Sequence, residues 1–207
     1  MTWFDFLLWV PYTLYFAAFV PQIFKNHREK STDGLSSSMV VVRFSADLLY
    51  VLCAYLLALP LVYKVMIPLC CIAMAKLGVQ EYWYSEESDE RNRLLWVYAG
   101  ITVSVVLLGF VGTVMPVMIG TLCGWGAMIL YCSAELPQLY QNYDRKSLEG
   151  YSFALPILIA AGSMLEVFLV IALRLPRQPL YAALRGVLFF CIYTAQYVKY
   201  HLIGEEA

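Results

Sequence analysis

The chain has 207 residues, of which 61% are hydrophobic, with a mean hydropathy of +0.67 and a formal net charge of −1. This balance excludes an ordinary soluble domain, and without a polybasic run there is nothing for nucleic acid to bind. Several apolar stretches of about 20 residues are each long enough to cross a hydrocarbon core of roughly 30 Å, so the chain reads as a polytopic membrane protein in a lipid bilayer.

Seven membrane helices are predicted, near residues 4–25, 38–58, 61–84, 94–114, 116–142, 151–173 and 178–202. The first has no basic n-region, so it reads as a retained helix rather than a signal peptide. It ends on Phe19-Val20-Pro21-Gln22 and runs into a charged loop, Lys25 to Gly34. Helix two carries Arg43 and Asp47 one turn apart, a spacing at which the two can pair. Helix three holds Lys64, Lys76, Gln80 and Glu81, and Glu86 to Glu90 form a solvated acidic loop. Helix four is almost free of polar residues. Helix five starts with Gly120-x-x-x-Gly124, a pattern for close helix packing, and ends on Glu135-Leu136-Pro137-Gln138 before a second charged loop closing at Gly150. Helix six carries Pro156 and Glu166; helix seven carries Arg185 and Gln196. The six cysteines all fall in apolar runs, where they read as small packing residues.

The two Pro-Gln motifs are copies. An offset of 116 residues with no gap pairs Trp9 with Trp125, Tyr15 with Tyr131, Ala18 with Ala134, Gln22 with Gln138 and Asn26 with Asn142. It continues through Lys30/Lys146, Ser31/Ser147, Gly34/Gly150 and Ser36/Ser152 to Leu49/Leu165, Leu57/Leu173, Pro60/Pro176, Gln80/Gln196 and Tyr84/Tyr200. Composition alone does not preserve spacing over such a distance. Residues 1–93 form one three-helix repeat with its loop, 94–115 a spacer helix, and 116–207 the second repeat. An odd spacer gives both repeats the same orientation, so the fold class is an all-α, seven-helix membrane protein of two parallel repeats, three plus one plus three. Lys25, Arg28, Lys30, Arg91, Arg93, Arg145, Lys146 and Lys199 gather on one side, against Lys64, Arg174 and Arg177 on the other. The positive-inside rule then places the N-terminus outside or in a lumen and the C-terminus in the cytosol.

Two Pro-Gln motifs, each followed by a charged loop ending in Gly, resemble the PQ-loop family, which includes cystinosin and the lysosomal cationic amino acid exporters and is related to SWEET sugar transporters. The resemblance implies a transporter working by alternating access in a lysosomal membrane, with Pro21, Gln22, Pro137 and Gln138 acting as hinges, whereas the lack of any Asn-x-Ser/Thr sequon points to a bacterial inner membrane. Proline removes a helix hydrogen bond, and Gln22 and Gln138 are expected to bond the carbonyls so freed or each other's helices. Pro156 fits a further gating proline, but its repeat counterpart is Val40, a departure from the four-proline SWEET pattern.

Intramembrane charge points to the cargo. A charge at mid-bilayer costs about 2.5–3.5 kcal/mol on insertion scales, so it must face a cavity or a partner. Arg43, Asp47, Lys76 and Glu166, with the paired Gln80 and Gln196, are therefore expected to bind the solute, while Glu81 and Lys64 are expected to snorkel toward the interfaces. Both charge signs suit an amino acid, cationic ones included, better than a neutral sugar. Burial disfavours an ionised carboxyl, which makes Asp47, Glu166 and Glu135 candidates for a co-transported proton. The alternatives are a SWEET-type sugar facilitator and a peptide-tail receptor like the KDEL receptor. No nucleophile–base pair, metal triad or cofactor motif is present, so no enzymatic activity, cofactor or metal is expected. Oligomeric state stays open.

Overall fold

A computed structural model of the protein describes residues 6–85, 88–172 and 177–202. Glu86, Glu87, Leu173, Arg174 and Pro176 lie outside them. Seven long helices cross the structure: α1 (Trp9–Glu29), α2 (Ser37–Leu56), α3 (Leu61–Tyr84), α4 (Ser88–Val114), α5 (Pro116–Arg145), α6 (Ala154–Ala172) and α7 (Arg177–Tyr197), with a π-helical turn at Val198–Leu202. Among the described residues there is no strand.

Local chemistry sets the ends. Ser36 caps α2, its hydroxyl accepting from the Met39 N–H at 3.4 Å, and Pro116 opens α5, where the missing N–H costs nothing. Most boundaries fall within a few residues of expectation, α1 running on to Glu29 and α5 to Arg145, and the start of α4 moves most. α4 begins at Ser88, so Ser88, Asp89 and Glu90 belong to its first turn rather than to a solvated loop. Acidic side chains there meet the positive end of the helix dipole. α1 and α5 terminate identically. Lys30 (φ 52°) and Lys146 (φ 48°) turn into the left-handed region, and the hydroxyls of Ser31 and Ser147 accept from the backbone N–H groups of Asp33 and Glu149 at 3.0 Å each.

Packing follows the repeat. Each repeat's third helix packs on its first and second, and the first helix of each repeat packs on the second helix of the other: α1 on α6 and α2 on α5. Small residues make these crossings tight. Ala18, Ala46, Ala127 and Ala134 have no exposed surface. Gly162, the register mate of Ala46, has its Cα so near the Pro11 carbonyl and the Tyr15 ring that a Cβ would crowd both. A Cβ on Gly120 would likewise run into Leu57. α4 stands apart, with only Leu94 and Gly112 buried and Trp96, Leu107 and Phe110 facing outward, as a lipid-facing spacer should.

Candidate functional site

Two polar layers cross the bundle. The first lies where the loops after α1 and α5 meet, called here the loop end. Gln22 donates through Nε2 to Asn26 Oδ1 (2.7 Å) and to the Gly150 carbonyl (3.0 Å), and its Oε1 accepts from the Ser152 N–H (2.6 Å). Gln138 does the same in mirror register, donating to Asn142 Oδ1 (2.9 Å) and the Gly34 carbonyl (2.7 Å) and accepting from the Ser36 N–H (2.8 Å). Each Pro-Gln glutamine thus grips the loop of the other repeat. Of the two expected partners, the carbonyls freed by Pro21 and Pro137 or the opposite repeat's helices, the glutamines serve the opposite repeat, through its loop rather than a helix. α1 and α5 stay helical through those prolines.

Behind each glutamine the amides continue as a relay. Asn26 donates to Gln80 Oε1 (3.3 Å) and Gln80 to the Ile23 carbonyl (3.0 Å); Asn142 donates to Gln196 Oε1 (3.2 Å) and Gln196 to the Leu139 carbonyl (2.9 Å). Gln80 and Gln196 therefore tie each third helix to its first helix, away from the cavity they were expected to line. Between the two layers of amides the loops touch. Gly34 (φ 89°) and Gly150 (φ 84°) occupy a backbone region that L-residues avoid, and a Cβ on either would overlap the opposite loop's backbone carbonyl. Gly34→Ala should accordingly cost about 1–3 kcal/mol from backbone strain alone, plus the cost of separating the loops, seen as a lower Tm in detergent. Gly100→Ala is the control: a Cβ there meets nothing within 4 Å, and its Tm should not fall.

The second layer is a cavity of about 60 Å³ between the repeats, lined by Tyr12, Tyr15, Arg43, Asp47, Tyr50, Tyr131, Glu166 and Arg185, with Ile67 and Cys70. At roughly 10–15 Å³ per water, this is space for a handful of waters or one small polar group. Glu166 accepts from two tyrosines, Tyr12 on Oε1 (2.5 Å) and Tyr15 on Oε2 (2.6 Å). Asp47 Oδ1 accepts from Tyr131 (2.5 Å). Tyr15 also lies 3.2 Å from Ser163 Oγ; with its one proton on Glu166, the serine hydroxyl is the donor there.

The repeat register explains this arrangement. Tyr15 and Tyr131 are equivalent, as are their partners Ser163 and Asp47, while Glu166 stands where the first repeat has Tyr50. Symmetry supplies the tyrosines; its breaking supplies the charges. Toward the other end of the bundle, Tyr63 packs edge-on against Tyr12 (4.9 Å between ring centres) and Tyr50 (6.2 Å).

Charge pairing here differs from the sequence expectation. Arg43 does not pair with Asp47 but with Glu135 of α5, Nη1 to Oε1 at 2.7 Å, both side chains almost wholly buried. Glu135 Oε2 accepts from Tyr193 at 2.8 Å. Arg185 donates from Nη1 to the Tyr131 carbonyl (2.6 Å), and the Arg43 and Arg185 guanidinium groups lie 5.8 and 5.4 Å from the Tyr131 ring centre, within cation–π reach. On the residues lining this cavity, three buried side-chain atoms find no hydrogen-bond partner among the described residues: Asp47 Oδ2, Arg43 Nε and Arg185 Nε.

Of the residues singled out in the sequence, the fold brings together Arg43, Asp47 and Glu166, with Glu135 directly behind. It leaves out Lys76, which is exposed on the outer face of α3 with its Nζ 4.9 Å above the Trp83 ring. The tyrosines were missed; Tyr15 and Tyr131 were nonetheless visible as a register pair.

The PQ-loop repeat profile matches twice, over residues 3–63 and 119–178, together more than half of the chain. The protein belongs to the PQ-loop family. A solved eukaryotic SWEET transporter has the same fold, with a TM-score of 0.74 over 96% of this chain and 99% of its own, at 13% sequence identity. The chain is an integral, multi-pass membrane protein of the three-plus-one-plus-three architecture.

Proposed function

We propose that the protein is a proton-coupled transporter of an amino acid, working by alternating access around the Tyr131–Glu166 cavity. The observation that carries this reading is the set of unpartnered charged atoms, Asp47 Oδ2, Arg43 Nε and Arg185 Nε, turned to one cavity between the two repeats. With Arg43 neutralised by Glu135, the cavity keeps one guanidinium (Arg185) and two carboxyls (Asp47 and Glu166). A zwitterion supplies a carboxylate for the arginines and an ammonium for Asp47; one proton then balances the remaining carboxyl, and a cationic amino acid would balance it without one. Opposite charges a few ångströms apart are what an amino acid requires and a neutral sugar does not.

The closed loop end supports the transport cycle: the cavity is sealed there by backbone contact between the repeats, and Pro21 and Pro137, directly beside the gripping glutamines, are the flex points. The excess of basic residues near the loop end supports a cytosolic loop end by the positive-inside rule.

Asp47→Asn keeps the Tyr131 hydrogen bond but removes the charge. Initial uptake of the transported amino acid in proteoliposomes should drop by about tenfold or more, the loss of one charge-assisted contact of roughly 1.5–3 kcal/mol. Unchanged uptake with unchanged pH dependence would remove Asp47 from the mechanism. A second reading, sugar facilitation as the SWEET fold suggests, draws on the four tyrosines of the cavity, which offer hydroxyls and ring faces to a neutral ligand. Under that reading Asp47→Asn would leave uptake of a labelled hexose intact.

A further inference from the structure

Glu81 was expected to snorkel out to the interface and does not. It sits three residues before the end of α3 and is 2% exposed. The Ser37 hydroxyl is a polar neighbour, yet neither carboxylate oxygen meets a donor in hydrogen-bond geometry, and no cation bridges it, among the described residues. The Tyr98 hydroxyl of α4, close to Glu81 and packed on Gly78, is likewise buried and unpartnered. A buried carboxylate without a partner is among the most costly groups a fold can hold.

Glu81 also lines a cavity separate from the central one. It is about 600 Å³ and polar, walled by the Lys30–Leu35 loop, the ends of α3 and α5, and Glu90 of α4. Its charged residues are Lys30, Asp33, Glu81, Glu90 and Arg145. Lys30, Asp33 and Arg145 are exposed at the rim, and Glu90 is taken up by Ser85 at 2.9 Å and Arg93 at 3.9 Å. That leaves Glu81 as the one buried ionisable side chain of this cavity.

We propose that this vestibule is a second binding site, in which Glu81 receives the ammonium or guanidinium head of an organic cation at the loop end. The volume lies within the roughly 300–1,000 Å³ of small-molecule pockets. A bare divalent ion is a poor match, because calcium demands about six to eight oxygens and Glu81 and Ser37 supply few. Occupancy would bear on the gate. Glu81 adjoins Gln80 of the amide relay, and Ser37 adjoins Ser36, whose N–H is held by Gln138.

The test is agmatine binding to the purified full chain in detergent, by calorimetry, in wild type, Glu81→Gln and an Asp47→Asn/Glu166→Gln double variant. Glu81→Gln should weaken binding by about tenfold or more, and the central double variant should change it less than about twofold. Magnesium chloride at the same concentration should not compete. In wild-type protein, agmatine should also protect Glu81 from carbodiimide coupling to glycine ethyl ester, read by mass spectrometry, which needs no variant to fold. Binding lost in the central double variant and kept in Glu81→Gln would place the cation in the central cavity and overturn the proposal. So would competition by magnesium, no binding at all, or Glu81 labelling indifferent to agmatine. Because the central double variant lacks the charges of the transport reading, binding that survives in it stands whether or not that reading does.

Discussion

Replacing Arg43 with Met while Glu135 remains should lower the stability of the protein by about 3–5 kcal/mol, the usual cost of stripping one partner from a buried ion pair. The pair is short, 2.7 Å, with 6% and 4% of the two side chains exposed, and among the described residues the only other donor to Glu135 is Tyr193. The surviving carboxylate would therefore stand in a low-dielectric interior with one neutral hydrogen bond. Met fills much of the volume of the arginine stem against Phe19, whose ring centre lies 5.2 Å from the guanidinium carbon, so packing loss should be minor. Adding Glu135→Gln to Arg43→Met should return most of the stability, because it is the orphaned charge and not the missing bond that costs. Unfolding of the two single variants and the double variant in mixed micelles checks this. Single-variant costs that simply add, with no coupling beyond about 0.5 kcal/mol, would show that the pair is not energetically coupled.

The second large effect concerns the crossed glutamines. Gln22→Leu strands the Ser152 N–H and the Gly150 carbonyl, and Gln138→Leu strands the Ser36 N–H and the Gly34 carbonyl. An unpaired buried polar group costs about 1–3 kcal/mol. That cost falls only on the form with the loops together, since water satisfies the same groups once the loops part. Each substitution should thus shift the loop-closed to loop-open balance by at least about tenfold, at 1.4 kcal/mol per decade. Hydrogen exchange read on the Gly34–Ser36 and Gly150–Ser152 segments should speed up to match. The effect should also cross between repeats, with Gln22→Leu exposing the second loop first and Gln138→Leu the first. Acceleration confined to the mutated repeat's own loop would mean that the glutamines do not hold the gate.

Much of the architecture was legible before any coordinates. The gapless register from Trp9 to Tyr84 identified the duplication, and the structure turns that register into equivalent contacts: Gln22 and Gln138 on opposite loops, Gln80 and Gln196 on equivalent carbonyls. Partnership across the repeats was not legible. Arg43 and Asp47 are well spaced to pair on one helix, but Glu135, 92 residues away, wins because α2 packs on α5. Depth along a helix was readable and facing was not. Lys76 has the depth of a site residue, yet α3 is apolar nearly all round, so no stripe in its sequence reveals that Lys76 points outward and Glu81 inward. Tyr12, Tyr15 and Tyr131, whose hydroxyls hold Glu166 and Asp47, carry no charge to mark their depth, so nothing in the sequence beyond the Tyr15/Tyr131 register set them apart from the other tyrosines.

The central claim, a charged cavity that carries an amino acid with a proton, is tested most directly by uptake of a labelled amino-acid panel into proteoliposomes of the wild-type protein, with and without an imposed pH gradient. Accumulation of one class of amino acid above equilibrium when the gradient is present, collapsing when it is dissipated, is the expected result. A ligand that binds without crossing, or a neutral sugar that merely equilibrates while every amino acid is ignored, would contradict it.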